Sequence, residues 1–296
     1  MWREYSSFVL DLPKESIGGS SHLSTNTSCT TSMEYDKYFD MLWISSKSNA
    51  GSSNGRITSY GYIEDDSAVA DVVDHDTTLP AMYRYSSFST HANDVVQQLL
   101  PNQTILVAVG QSSIGLSTYG GASVASMAIN SCPAKRSTVL AAFTEERHFT
   151  CSDFLYKQAS SRISSAFVAD HIIVGASDGE AYVFDLEHFP SPVITFAVDS
   201  APACIQSNGN LVCVGGVDGC VRFLDGQFRS SEVTSCIEAH SGTITDMCMQ
   251  SDGRTLITCG TLRKPINPYD KHSPFNVSIS MSTKSCESSA PYLCVR

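Results

Sequence analysis

The chain has 296 residues, 42% of them hydrophobic, with 30 acidic side chains against 19 basic ones and a formal net charge of -11. That balance weighs against a general phosphate-backbone binder, whose affinity comes from neutralising phosphates with Lys and Arg, and nowhere do more than two Lys or Arg stand side by side. No apolar run approaches the roughly 20 residues that a spanning helix needs, and Glu4 and Asp11 interrupt the N-terminus where an export signal needs an unbroken apolar segment, so neither is expected.

In chain order, residues 16–32 (SIGGSSHLSTNTSCTTS) hold ten Ser or Thr in seventeen positions. Too little is apolar there to offset the entropy of ordering, and residues 1–35 are expected to form a mobile N-terminal extension. DMLWISS (40–46) is the first strand signal, followed by the polar insertion SSKSNAGSS (45–53) and a second strand signal, GRITSYGY (55–62). Residues 64–78 carry six acidic side chains and no Lys or Arg, which reads as a solvated loop. HANDVVQQLLP (91–101) is the best attempt at a helical pattern, and it stops at Pro101. QTILVAVG (103–110), STVLAAF (137–143) with HFTCSDF (148–154), HIIVGA (171–176), NLVCVGG (210–216) and RTLITCG (254–260) continue the strand series, before a Ser-rich stretch at 282–290.

Two of these strands open near-copies of one another. Residues 174–185 read VGASDGEAYVFD and residues 214–225 read VGGVDGCVRFLD. In each, two apolar runs flank an Asp-Gly turn, the strongest short-range hairpin signal, and a final Asp closes the second strand. Equivalent strand positions fall near Leu42, Ile105, Leu140, Ile172, Val212 and Leu256, and the last three intervals are 32, 40 and 44 residues. Hairpins at that spacing match the four-stranded blade of a β-propeller, whose apolar faces are buried only by stacking. The expected fold is therefore all-β: an incomplete WD-repeat-like β-propeller over residues 36–296, with about six of seven blades.

EAHSGTITDMCMQSDGRTLITCG (238–260) resembles a WD repeat. His240 and Gly242 stand at that family's Gly-His element, Asp246 stands near its turn aspartate, and Asp185 and Asp225 match the Asp of its Trp-Asp dipeptide, with Phe184 and Leu224 in place of the tryptophan. Three elements in order, FDMLWISSKS with GRITSYGY, then MYRYSSFSTHANDVVQQLL with Arg84 to Phe88, then IEAHSGTITDMCMQSDGRTLITCG with His240 to Gly260, resemble the N-terminal propeller of the Pan deadenylase catalytic subunit over about residues 36–296. The resemblance implies a docking module for a pseudokinase partner subunit, acting on mRNA poly(A) tails, with poly(A)-binding protein ribonucleoprotein as an indirect partner. It also implies that the end at YLCVR cuts into a sixth blade, and that the nuclease domain of that family is absent from this chain.

Other motifs have a chemical reading beside a structural one. GASDG (175–179) matches Gly-x-Ser-x-Gly, a serine nucleophile elbow, but no helical pattern follows and its counterpart GGVDG places Val217 where Ser177 stands. YVFDLEHF (182–189) offers Asp185 and Glu187 as a metal-binding pair of a proofreading-type exonuclease, but Asp185 matches Asp225, beyond which position 227 is Gln. His240 and Asp246 form a candidate catalytic pair, and are read instead as an internal hydrogen-bond network of a blade. Eleven cysteines without a Cys-x-x-Cys pair give neither a disulfide frame nor a zinc spacing and fit a reducing compartment, where sequons at Asn26, Asn102 and Asn276 go unused.

The sequence thus predicts a non-catalytic interaction platform, with no catalytic residue, no cofactor and no metal, located in the cytoplasm or its processing bodies. It nominates no binding residue, and predicts neither membrane association nor strong direct nucleic-acid binding. An unrelated WD-repeat scaffold of trafficking or signalling is the alternative, and a hydrolase or nuclease in its own right ranks last.

Overall fold

The computed structural model describes residues 28–48, 55–62, 82–89, 94–133, 146–156, 169–208, 211–249, 255–261, 275–277, 281–284 and 292–295. Among them the regular structure is β-strand, apart from one 3-10 turn at Ile129–Ser131, and no helix is long and apolar enough to cross a membrane. The chain divides into two compact units, residues 1–108 with 115–124 and residues 109–114 with 125–296.

In the first unit, β1 (Ser28–Asp36), β2 (Met41–Ser48), β3 (Gly55–Tyr62) and β4 (Met82–Ser89) form an antiparallel sheet in that order. The start of β1 corrects the sequence reading of 16–32 as a mobile segment, because residues 28–32 are strand. Hydroxyl pairing takes the place of apolar alternation there: Thr31 Oγ1 lies 2.8 Å from Ser45 Oγ, which also donates to the Ser32 carbonyl at 3.4 Å. Residues 1–27 lie outside the described residues. One face of the sheet packs Met41, Trp43 and Ile57 against Val96 and Leu99 of β5 (Val96–Pro101) and Leu106 of β6 (Leu106–Gly110), with Trp43 fully buried. So the segment that came nearest to a helical pattern ends in a strand. With β7 (Ser113–Ser117) and β8 (Ser123–Ala128), β5 and β6 make a second four-stranded sheet, whose residues are shared between the two units.

The second unit carries three more sheets. The first is built from β9 (Phe149–Tyr156), β10 (Ala169–Ala176), β11 (Glu180–Asp185) and β12 (Pro192–Ala197), and the next from β13 (Pro202–Asn208), β14 (Leu211–Gly216), β15 (Cys220–Asp225) and β16 (Val233–Glu238). The last contains β17 (Ile244–Met249), β18 (Thr255–Thr261), β19 (Phe275–Val277), β20 (Met281–Lys284) and β21 (Tyr292–Val295). Leu42, Ile172, Val212 and Leu256 each lie on the second strand of their sheet, as the spacing predicts, and Ile105 immediately precedes β6. Leu140 lies outside the described residues. HFTCSDF falls on β9 from Phe149 onward and pairs with β10, with Phe154 opposite Ile172, while the STVLAAF segment lies outside the described residues.

Three sheets in series explain the near-continuous apolar runs. On β14, Val212 and Val214 join Ile173, Val183, Phe196 and Leu224 in one core, while Cys213 joins Val221, Ile244 and Met247 in the next. Successive side chains on a strand point to opposite faces, and here both faces are covered by another sheet.

The two Asp-Gly turns adopt the same geometry. Gly179 and Gly219 have φ of +82° and +85°, in the left-handed region that glycine tolerates best. Their carbonyls accept the N–H of the residue that follows the fourth strand, Val198 at 2.9 Å and Ala239 at 3.0 Å. An added Cβ at Gly219 would lie 1.9 Å from the His240 carbonyl oxygen, whereas at Gly179 the nearest atom, Ser200 N, is 3.3 Å away. Gly179→Ala is therefore expected to destabilise by about 1–2 kcal/mol through φ alone, and Gly219→Ala by about 3 kcal/mol or more, measured by chemical denaturation. Equal losses would contradict this account of the turn.

Candidate interaction surface

The polar groups the sequence singled out are engaged at sheet ends. Asp178 and Asp218, at equivalent turn positions, each meet a guanidinium. Arg222 pairs with Asp218 from the same hairpin, with Nη2 to Oδ2 at 2.6 Å and Nη1 to Oδ1 at 3.1 Å. Position 222 is matched by Tyr182 in the other copy, and there Arg147 supplies the charge, its Nε 2.6 Å from Asp178 Oδ2 and its Nη2 donating to the Tyr182 hydroxyl. Burial opposes ionisation of Asp218, but hydrogen bonds from Arg222, the Cys220 N–H and Ser200 outweigh it and push the pKa down to about 2.

The paired reading of His240 and Asp246 needs correction. His240 Nε2 lies 2.9 Å from Oγ1 of the fully buried Thr258 on β18. Asp246 is exposed on β17, and its Oδ1 accepts the N–H of the next residue, Met247. Asp178 and Asp218 occupy the turns between the second and third strands of their sheets, whereas Asp246 lies on a first strand.

Asp185 and Asp225 close their strands alike. Asp185 Oδ1 accepts the Glu187 N–H at 2.9 Å, and Asp225 Oδ1 accepts the Gln227 N–H at 2.9 Å. The second Asp185 oxygen lies 2.7 Å from His188 Nδ1, so both oxygens are occupied within one turn. Ser177 Oγ accepts the His148 N–H at 3.0 Å, and the strand β11 follows in place of the helix that a nucleophile elbow requires. Among the described residues, no group of three or more His, Cys, Asp or Glu side chains is placed to hold a metal ion.

What the sequence reading missed lies at the β1–β2 hairpin, MEYDKYFD (33–40). Met33, Tyr35, Tyr38 and Phe39 are 61%, 55%, 38% and 51% exposed, four large apolar side chains within seven positions. The patch is held rigid from beneath. Buried Asp36 accepts the Tyr38 N–H at 2.9 Å and the Tyr119 hydroxyl at 2.6 Å, and the Tyr35 hydroxyl donates to Asp40, which turns the chain with φ of +51°. Phe39 packs edge-on against Tyr119 at 5.3 Å, and the Lys37 ammonium sits 5.4 Å from the Tyr38 ring centre. Rigid exposed aromatics of this kind form contact area at small entropic cost. The signal was present in the sequence, as apolar residues interleaved with charges in a stretch of strong β-formers.

Repeated four-stranded antiparallel sheets, with a His–Thr bond joining the start of one sheet to its second strand, define the class: the fold is a WD-repeat β-propeller. The family described as WD domain, G-beta repeat, matches residues 231–262, which hold His240 and Thr258. No curated protein matches the chain. Among solved structures it is similar to the "Structure of the Neurospora crassa Pan2 WD40 domain", with a TM-score of 0.55 and 14% identity over 85% of this chain and 62% of that one. The chain thus spans less than two thirds of that domain, and the likeness is one of fold.

Two outcomes follow from these bonds. Thr258→Val keeps shape but leaves the His240 nitrogen unpaired and is expected to cost about 1–3 kcal/mol, against less than about 0.5 kcal/mol for Asp246→Ala, by denaturant midpoint. Asp218 has a folded pKa below its unfolded one, so its stabilisation is full above pH of about 4 and disappears as pH falls through about 2. The stability gap between the wild type and Asp218→Asn should close over that window, and a gap that persists at the lowest pH would refute the ion pair as its source.

Proposed function

We propose that this chain is a non-catalytic WD-repeat interaction platform, the N-terminal part of a Pan deadenylase catalytic subunit. In this reading it works in the shortening of mRNA poly(A) tails within a complex with the pseudokinase subunit. Poly(A)-binding protein ribonucleoprotein is reached indirectly, and the setting is the cytoplasm and its processing bodies. The observation that carries the platform reading is the β1–β2 hairpin, where four large apolar side chains stand exposed on a rigid base. Support for the particular complex comes from the ordered sequence elements over 36–296 and from the fold likeness to the Neurospora crassa Pan2 WD40 domain. The net charge of -11 favours a protein partner over direct RNA contact.

A second reading, an unrelated WD-repeat scaffold of trafficking or signalling, is favoured by the match of a generic repeat at 231–262. Capture by the pseudokinase subunit from the same organism separates the two. The tagged chain is expected to retain that subunit, and Tyr35→Ala with Phe39→Ala to weaken retention on the order of tenfold with the circular dichroism unchanged. Failure of the folded wild-type chain to bind counts against the Pan reading. Binding that survives the double substitution moves the contact off the hairpin.

A further inference from the structure

β15 and β16 carry a feature the platform reading does not use. In their antiparallel register Cys220 stands opposite Glu238 and Arg222 opposite Cys236, so the two cysteines are diagonal neighbours on one face. The right-handed twist of a strand pair draws this diagonal together and parts the other one. Cys248 and Cys259 of β17 and β18 lie on the parted diagonal, since Cys248 opposes Ile257 and Cys259 opposes Asp246. The Cys220 and Cys236 thiols are near enough to act on each other electrostatically. β16 is the outermost strand of its sheet, Cys236 is exposed and Cys220 half-buried, and the Arg222 guanidinium acts on both sulfurs. Burial pushes the Cys151 and Cys213 thiols up to about 12, and burial with the neighbouring Asp218 carboxylate pushes Cys220 up to about 11, so the exposed Cys236 is the thiol placed to meet an oxidant first.

We propose that Cys220 and Cys236 form a peroxide-sensitive thiol pair that closes into a reversible cross-strand disulfide, stapling β16 to β15. The Cys236 thiolate attacks one peroxide oxygen, the O–O bond breaks, and a sulfenic acid forms with release of water. The Cys220 sulfur then displaces the sulfenic oxygen, which leaves as a second water, and the S–S bond forms. In sum, two thiols lose two electrons and two protons, and one hydrogen peroxide becomes two waters. The register sets the two side chains on one face as diagonal neighbours, so closure to a bond of about 2.05 Å calls on side-chain rotation more than on backbone movement.

Hydrogen peroxide added to the folded chain, followed by peptide mapping without reduction, tests this. The Cys220–Cys236 linkage is expected to form on the order of tenfold faster than any other thiol is oxidised, and to be reversed by dithiothreitol. In Cys220→Ser, the Cys236 sulfenic acid should persist and be trapped by dimedone, with circular dichroism confirming the fold. Cys236→Ala should leave Cys220 unmodified over the same period. Linkage of a different pair, a disulfide between chains, or a wild-type Cys236 that stops at the sulfenic acid would each overturn the proposal.

Discussion

A sheet with two apolar faces needs cover on both sides, and among the described residues of the second unit that cover is another sheet. The middle sheet makes the point. Val212, Val214 and Leu224 face one neighbour while Cys213 and Val221 face the other, and all five are 1% exposed or less. Each such side chain contributes about 1.5–3 kcal/mol only while the facing sheet stays in place. The stability of any one sheet is therefore conditional on its neighbours, as in other stacked-repeat proteins.

That dependence explains where the polar bonds lie. In the second unit the bonds of the Asp-Gly turns lie at sheet ends, where backbone groups outside the ladders would otherwise be unpaired. Ser112, Gly179 and Gly219 stand at matching turns, and each carbonyl accepts the N–H that follows the fourth strand of its sheet, from Ile129, Val198 and Ala239. What the repeat keeps is the bond and not the residue. Asp178 and Asp218 each meet a guanidinium, yet Arg222 provides it from within the hairpin and Arg147 from a preceding segment.

This difference also marks how far the sequence could be read. Period and Asp-Gly turns were visible because each requires a residue type: glycine at positive φ, and a near-continuous apolar run on a doubly covered strand. Arg147 as the partner of Asp178 was not visible, since the two are 31 positions apart and only the third dimension joins them. The His240 partner was misassigned for a related reason. Asp246 and Thr258 both lie downstream, and chain distance favours the aspartate, but the fold turns Thr258 inward and leaves Asp246 in solvent. β1 escaped notice because its first residues bond through hydroxyls instead of burying apolar surface.

The same periodicity bears on chemistry. A hydrolytic site needs unlike groups converging on one point, with oxygens free to take a metal or a proton. A stacked repeat does the opposite: it sends like groups to like positions on successive sheets. Asp178 and Asp218 recur at one turn and Asp185 and Asp225 at another, and each already accepts bonds from its own neighbourhood. To recruit Asp185 for catalysis would mean releasing the Glu187 N–H and His188 that fix the end of β11, so a gain in reactivity would loosen the strand that positions it. Recognition meets no such conflict, because the hairpin is held through the Asp36 carboxylate and the Tyr35 and Tyr119 hydroxyls, which leaves apolar surface of Met33, Tyr35 and Phe39 exposed. In this chain the polar bonds maintain the scaffold, and the β1–β2 hairpin carries exposed apolar side chains that the scaffold does not use for cover.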